Sequence, residues 1–326
     1  MYLIDFYYSG ANIIDSLAAL HRFYPRYSLK RKIAYLMNAI NLLIFRRVPR
    51  RLKLISDVVS KIPVKAPDGA LAILLHKIAQ NGRVYVFELD GKGKPLTVTK
   101  IALTEAARSG IVREREILKQ LEHVELPFDI PRAVNFIDSN GICALSMSAI
   151  NDNLSIHEKS KGIPDYIFNA IASLRSSDAP ISQPISAFGW FSSIKKRITN
   201  PAIIEVVQQI ASDNFFAVCA AHCDLGSENV FSKLETDFDK SIFAIIDWEF
   251  FTEFAPAMTD RVAYWLGQHH RNFKREFGSW NARESAIYFL NEFRNTPGGE
   301  AAAVLALLAL LHQGNDLAER VCGIVK

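Results

Sequence analysis

Cysteine is scarce in this 326-residue chain: there are four, Cys143, Cys219, Cys223 and Cys322, and no two form a C-x-x-C pair. That pattern argues against a disulfide scaffold. It fits a reducing compartment, where a thiol in an apolar run acts as a small buried hydrophobe. A long hydrophobic run is also missing. Residues 33–45 come nearest, but Asn38 and Asn41 interrupt them, and crossing a bilayer takes about 20 residues. Residues 1–10 carry Asp5 and aromatics where the basic and apolar parts of a cleavable leader belong, so a cytoplasmic location is expected. Internal repeats and low-complexity tracts are absent. With 49% hydrophobic and 22% charged residues, disorder is excluded and the chain is long enough for two lobes around a cleft.

The net charge of +4 is unevenly spread. Residues 1–53 hold ten Lys/Arg against Asp5 and Asp15, whereas the remainder holds 28 basic against 32 acidic residues. A basic arm of this kind suggests an anionic partner. Tyr2, Phe6, Tyr7, Tyr8, Phe23, Tyr24 and Tyr27 are interfacial residue types, so an anionic membrane surface is one expectation, with peripheral attachment at the inner face. The plainer alternative is an amphipathic helical extension packed on the strand-rich lobe with its cations solvated. Nucleic acid is disfavoured, because no reader motif accompanies the charge.

From about residue 70 the pattern becomes strand-like. Residues 71–78 and 83–89 are β-rich and flank Asn81-Gly82, a hairpin signal. A third strand is predicted at 96–103. A helix follows over 105–122, with Ile111, Glu114, Ile117, Leu118 and Leu121 on one face. The first three strands form an antiparallel meander, and two further strands are predicted at 132–137 and 142–147, joined by a turn at Ser139-Asn140-Gly141. Beyond residue 151 the pattern is mainly helical, at 166–174, 201–212, 259–269, 282–293 and 301–312, with Pro201 placed at a helix start. Two β-like runs, 216–220 and 243–246, lie among these helices.

The chemistry sits around those runs. Transfer of a γ-phosphoryl group needs a carboxylate to orient and deprotonate the attacking hydroxyl, oxygen ligands for Mg²⁺, and a cation on the nucleotide phosphates. In His222-Cys223-Asp224-Leu225-Gly226-Ser227-Glu228-Asn229, Asp224 is the candidate base and Asn229 can turn back towards it. Asp247, in Ile246-Asp247-Trp248-Glu249, follows an apolar strand that can aim its carboxylate. One Asn and one Asp suit Mg²⁺, which takes few protein oxygens plus water and phosphates.

Together these two strings resemble the catalytic loop and metal-binding motif of the aminoglycoside phosphotransferase and choline kinase families, which share the protein-kinase-like fold. The resemblance runs from about residue 70 to 294. It implies that Lys100 in Thr97-Val98-Thr99-Lys100 contacts nucleotide phosphates, that Glu114 pairs with it, and that Leu145-Ser146-Met147-Ser148 is the hinge, with Met147 and Ser148 bordering the adenine. It also implies that Asp260, closing Ala255-Pro256-Ala257-Met258-Thr259-Asp260, is a structural aspartate. There are three departures. Cys223 stands where these families often carry Gly, a change tolerated where the backbone does not need φ > 0. The loop 78–82 has a single glycine and no G-x-G-x-x-G. The first 60 or so residues match no part of the motif set.

The expected fold class is therefore α+β and protein-kinase-like: a strand-rich lobe with one key helix, a helical lobe, and a basic helical N-terminal extension. The expected domains are residues 1–65, 66–148 and 149–326. The expected function is an ATP-dependent (or other nucleoside triphosphate), Mg²⁺-requiring phosphotransferase acting on a small-molecule hydroxyl, sugar-like or lipid-linked. A catalytically silent kinase-like binding module is the alternative. His222 with Asp224 as part of a metal hydrolase site is a weaker one; the kinase reading makes His222 a buried hydrogen-bonding post.

Overall fold

In a computed structural model, residues 6–9, 71–74, 82–90, 94–139, 141–150, 154–157, 162–210, 214–226, 228–233, 241–276 and 282–324 are described. The chain divides into two units, Met1–Val124 with Ile130–Asn153, and Glu125–Asp129 with Leu154–Lys326.

The first unit is built on one antiparallel sheet. Its strands are β1 (Phe6–Ser9), β2 (Leu71–Leu74), β3 (Arg83–Leu89), β4 (Pro95–Ala102), β5 (Ala133–Ser139) and β6 (Ile142–Ser148), in the spatial order β1-β2-β3-β4-β6-β5. Val84, Val86, Ile101, Leu145 and Met147 supply its core. Helix α1 (Glu105–Leu121) follows β4. Thr104 caps it by accepting from the Ala107 N–H at 3.2 Å, which contributes about 1 kcal/mol. The buried stripe Ala107, Ile111, Glu114, Leu118 and Leu121 repeats at helical spacing, so Glu114 faces inward with its apolar neighbours.

Strand β1 was not foreseen. Phe6–Ser9 pairs antiparallel with Leu71–Leu74, so these four residues of the expected helical extension are extended and belong to the sheet. The rest of that extension, including its basic clusters, lies outside the described residues, as do residues 75–81 of the expected second strand and its turn.

The second unit is helical around two small sheets. Strands β7 (Ser155–Ile156), β10 (Val230–Lys233) and β11 (Ile242–Ile245) form one, in the order β11-β10-β7; β8 (Ser182–Pro184), β9 (Phe215–Ala221) and β12 (Thr252–Pro256) form the other, in the order β12-β9-β8. The helices are α2 (Asp165–Ala172), α3 (Phe191–Lys195), α4 (Pro201–Gln209), α5 (Thr259–Glu276), α6 (Ala282–Phe293), α7 (Gly299–His312) and α8 (Asp316–Val321). Residues 125–129 join this unit because Asp129 exchanges backbone hydrogen bonds with Phe243 and Ile245.

Ala303 to Leu311 are all buried. A helix apolar on every side is a core element, and α7 is the hub against which α3, α4, α5, α6, α8 and β12 pack. Among the described residues no helix is long and apolar enough to cross a membrane. The architecture is thus α+β, with a strand-rich unit carrying one long helix and a second unit dominated by helices.

Candidate functional site

In the first unit, Lys100 lies on β4, flanked by Tyr85 on β3 and Leu145 on β6. Its Nζ donates to both carboxylate oxygens of Glu114, at 2.8 and 2.7 Å, and both residues are buried. Strand register and helix phase bring them together: Lys100 lies in the buried run Thr99-Lys100-Ile101 of β4, and Glu114 occupies α1's buried stripe. Glu116, two residues on, is exposed and lies on another face. Leaving either charge alone in this interior would cost about 3–5 kcal/mol.

Met147 pairs with Val98 and Ser148 with Thr97 across β4–β6. Met147 is buried. Ser148 is committed to β5's approach: its N–H donates to the Arg132 carbonyl at 2.9 Å, and its hydroxyl accepts from the Arg132 N–H at 2.9 Å. The Ala149 N–H donates to Leu96. Of the loop 78–82, only Gly82 is described. Its φ is +58°, and an added Cβ would lie 2.3 Å from the Thr104 hydroxyl, so glycine is needed where the chain packs on the α1 cap.

In the second unit, the segment between β9 and β10 carries Asp224 and Asn229, and Asp247 follows β11. Val230 pairs with Ile245 across the β10–β11 hairpin, and the ladder continues one step further, with the Ile246 N–H donating to the Asn229 carbonyl at 3.0 Å. That register sets Asn229 beside the residue preceding Asp247. The Asn229 side-chain amide donates to the Asp224 carbonyl at 2.8 Å and to its carboxylate Oδ2 at 2.9 Å. With Nδ2 so engaged, Oδ1 is left as the acceptor end of the amide. Asp247 adopts φ +69° at the start of the short turn Trp248–Phe250, a left-handed conformation that Asp tolerates better than most residues.

Burial, and then the charge of Asp247, push the Asp224 carboxyl up to about 7; the Asn229 hydrogen bond opposes them, while Glu249 and Glu228 add smaller repulsions. The Asp247 charge is thus near enough to Asp224 to raise it, a repulsion that a bound cation would relieve. Asp247 and Asn229 Oδ1 are the oxygen donors here that could hold a hard cation such as Mg²⁺, which takes few protein oxygens. Among the described residues no group of three or more His, Cys, Asp or Glu stands ready to hold a metal without such help.

Cys223 differs from expectation. Its φ is +65°, in the left-handed region where a side chain costs about 1–3 kcal/mol, so the position does require the conformation that glycine would adopt readily. Asp260, in the first turn of α5, holds it there: its carboxylate accepts from the His222 N–H at 2.9 Å and the Cys223 N–H at 2.8 Å. Burial raises the Asp260 carboxyl to about 6 against the lowering effect of these two bonds.

His222 is fully buried. Its Nε2 meets the Ile246 carbonyl at 3.0 Å, and the Asp224 N–H donates to Nδ1 at 3.3 Å. Nε2 therefore carries the proton, and the imidazole ties the loop to the end of β11. Its edge-to-face contact with Trp248, at 4.8 Å, completes a post rather than a metal ligand.

Two neighbours of this loop escaped the sequence. Glu249 is buried and raises Asp224; its place in Asp-Trp-Glu was a usable signal. Gln313 donates from Nε2 to Cys223 Sγ at 3.2 Å, across 90 residues with no local pattern to mark it.

No protein-family model matches the chain, and no curated protein matches it. Solved structures similar to it include a GDP and kanamycin complex of an aminoglycoside phosphotransferase APH(2'')-IIIa, at 12% identity and TM-score 0.43 over 82% of this chain and 99% of that one. An ADP-bound aminoglycoside phosphotransferase APH(2'')-Ib gives 14%, 0.43, 82% and 98% in the same order. A fructosamine-3-kinase candidate from Haemophilus somnus 129PT gives 14%, 0.37, 73% and 89%. Likeness at these scores carries no weight on substrate or cofactor, which rest on the residues themselves.

Proposed function

We propose that this chain is a protein-kinase-like phosphotransferase that moves the γ-phosphoryl group of a nucleoside triphosphate, ATP in the first instance, to a hydroxyl of a small molecule. The observation that carries the reading is the Asn229 amide bridging the main chain and carboxylate of Asp224, with β10–β11 register setting Asp247 beside them.

In the proposed reaction Asp224 accepts the proton of the acceptor hydroxyl as its oxygen bonds to the γ-phosphorus and the bond to the β-bridging oxygen breaks. Its raised affinity for protons, about 7, matches a base working near neutrality. Asn229 holds that carboxylate in place and, with Asp247, would hold Mg²⁺. The cation, when bound, neutralises charge developing on the phosphate oxygens. Lys100, oriented by both oxygens of Glu114, would contact the nucleotide phosphates, and Met147 and Ser148 would border the base. Sugar-like or lipid-linked hydroxyls are the proposed acceptor class. The cytoplasm, with attachment to an anionic membrane surface through residues 1–53, is the proposed location.

The reading is tested by titrating MgATP into the protein and following heat. Binding should require Mg²⁺, weaken at least tenfold in Lys100→Met, and lose its Mg²⁺ dependence in Asp247→Ala. Absence of nucleotide binding in the unmutated protein would leave the silent-module reading in its place.

A further inference from the structure

We infer that Gln313 is a positioning residue for the loop that carries Asp224, acting through the thiol of Cys223; this rests on the reading of Asp224 as the base. Cys223 is gripped from two helices, besides the bond from its thiol to the Ala221 carbonyl at 3.6 Å. Its N–H is held by Asp260 from α5, and its Sγ receives the Gln313 amide from the residue that closes α7. A glycine at position 223 offers the first grip but not the second. The cysteine therefore gives the segment a side-chain handle, at the cost of a left-handed φ of +65°.

The energetics of Gln313 point the same way. Its Oε1 is buried with no hydrogen-bond partner among the described residues. Its single side-chain bond is to sulfur, a weak acceptor. A half-satisfied buried amide is a poor device for stability, because desolvating the unpaired oxygen offsets what the other end gains. An aliphatic side chain of similar size would serve the fold as well. What the amide adds is direction: it ties the residue before Asp224 to α7, the most deeply buried helix of the unit. Structural elements that break a local rule in this way concentrate at functional sites.

The experiment uses the full chain with Gln313→Leu, Cys223→Gly and the double substitution. Amide hydrogen exchange of the peptide containing residues 221–226 reads the link without nucleotide. It should quicken about tenfold in Gln313→Leu, while peptides of α4 and α7 and the melting temperature stay as in the unmutated protein. Turnover of MgATP reads the consequence: kcat should fall about tenfold with KM for ATP within twofold. In the Cys223→Gly background the Gln313→Leu substitution should change neither readout further. Unchanged loop exchange, a melting temperature that falls in step with kcat, or equal losses in both backgrounds would overturn the inference. Failure of the kinase reading shows separately, as turnover indifferent to Asp224→Ala.

Discussion

Replacing Asp260 by asparagine probes how the loop that carries Asp224 is held, and the sign of its pH dependence follows from the structure. The carboxylate is buried and accepts from the His222 and Cys223 N–H groups at 2.9 and 2.8 Å. Burial nonetheless dominates and lifts its pKa from 3.8 to about 6. Between these two values the folded protein holds a proton that the unfolded chain has released. Stability contributed by this group is therefore complete below the unfolded value and declines as pH rises through the window. The slope is about 1.4 kcal/mol per pH unit, and the whole decline is about 3 kcal/mol, flat above pH 6 to 7. Asparagine does not titrate, and its single carbonyl oxygen cannot serve both N–H groups as well as two carboxylate oxygens do. One buried donor left wanting costs about 1–3 kcal/mol. Urea unfolding of both proteins from pH 4 to 7.5 should show Asp260→Asn most destabilising at pH 4, with the gap narrowing by about 3 kcal/mol towards pH 7. A gap that widens with pH would mean that the two N–H bonds outweigh burial, and would refute the reasoning.

Two further outcomes are expected. Gly82→Ala should destabilise the protein by 2 kcal/mol or more in the same unfolding assay, because the new methyl meets the Thr104 side chain at 2.3 Å with φ at +58° and so disturbs the α1 cap as well as the backbone; a loss under 0.5 kcal/mol would contradict that packing. The acid limb of kcat/KM for MgATP turnover should reflect one ionisation near 7, Asp224 being inactive when protonated. It should move to lower pH as Mg²⁺ is raised, since a cation at Asp247 offsets the repulsion that helps lift Asp224. A limb indifferent to Mg²⁺ would separate Asp247 from the metal.

What the sequence disclosed depended on whether the determinants were local. Helix α1 was legible almost to the residue, because the stripe Ile111, Glu114, Ile117, Leu118 and Leu121 lies within one helical stretch. Strand β3 was legible for the same reason, its alternation being bounded by turn residues. The Lys100–Glu114 pair was expected from the family resemblance, with Glu114 on the apolar stripe of that helix. Strands β7, β8, β10 and β12 were missed. They are two to five residues long and owe their form to partners far away in sequence. The extended state of Phe6–Ser9 was missed likewise, since its partner is Leu71–Leu74. At the site, residue types named Asp224, Asn229 and Asp247, but only the β10–β11 register shows how Asn229 comes to sit beside the turn of Asp247. The left-handed backbone at Cys223 was hidden by its side chain, because cysteine seldom adopts it; the two bonds from Asp260 that enforce it come from 37 and 38 residues away.

The central claim is that Asp224 serves as base in a Mg²⁺-dependent phosphoryl transfer. Release of phosphate from MgATP, followed in the unmutated protein and in Asp224→Asn with and without EDTA, tests it most directly. The account predicts a slow turnover abolished by EDTA and lowered at least a hundredfold by Asp224→Asn, with nucleotide affinity within a few-fold of the parent. Equal turnover in the parent and Asp224→Asn, or no turnover in a parent that binds MgATP, would contradict it.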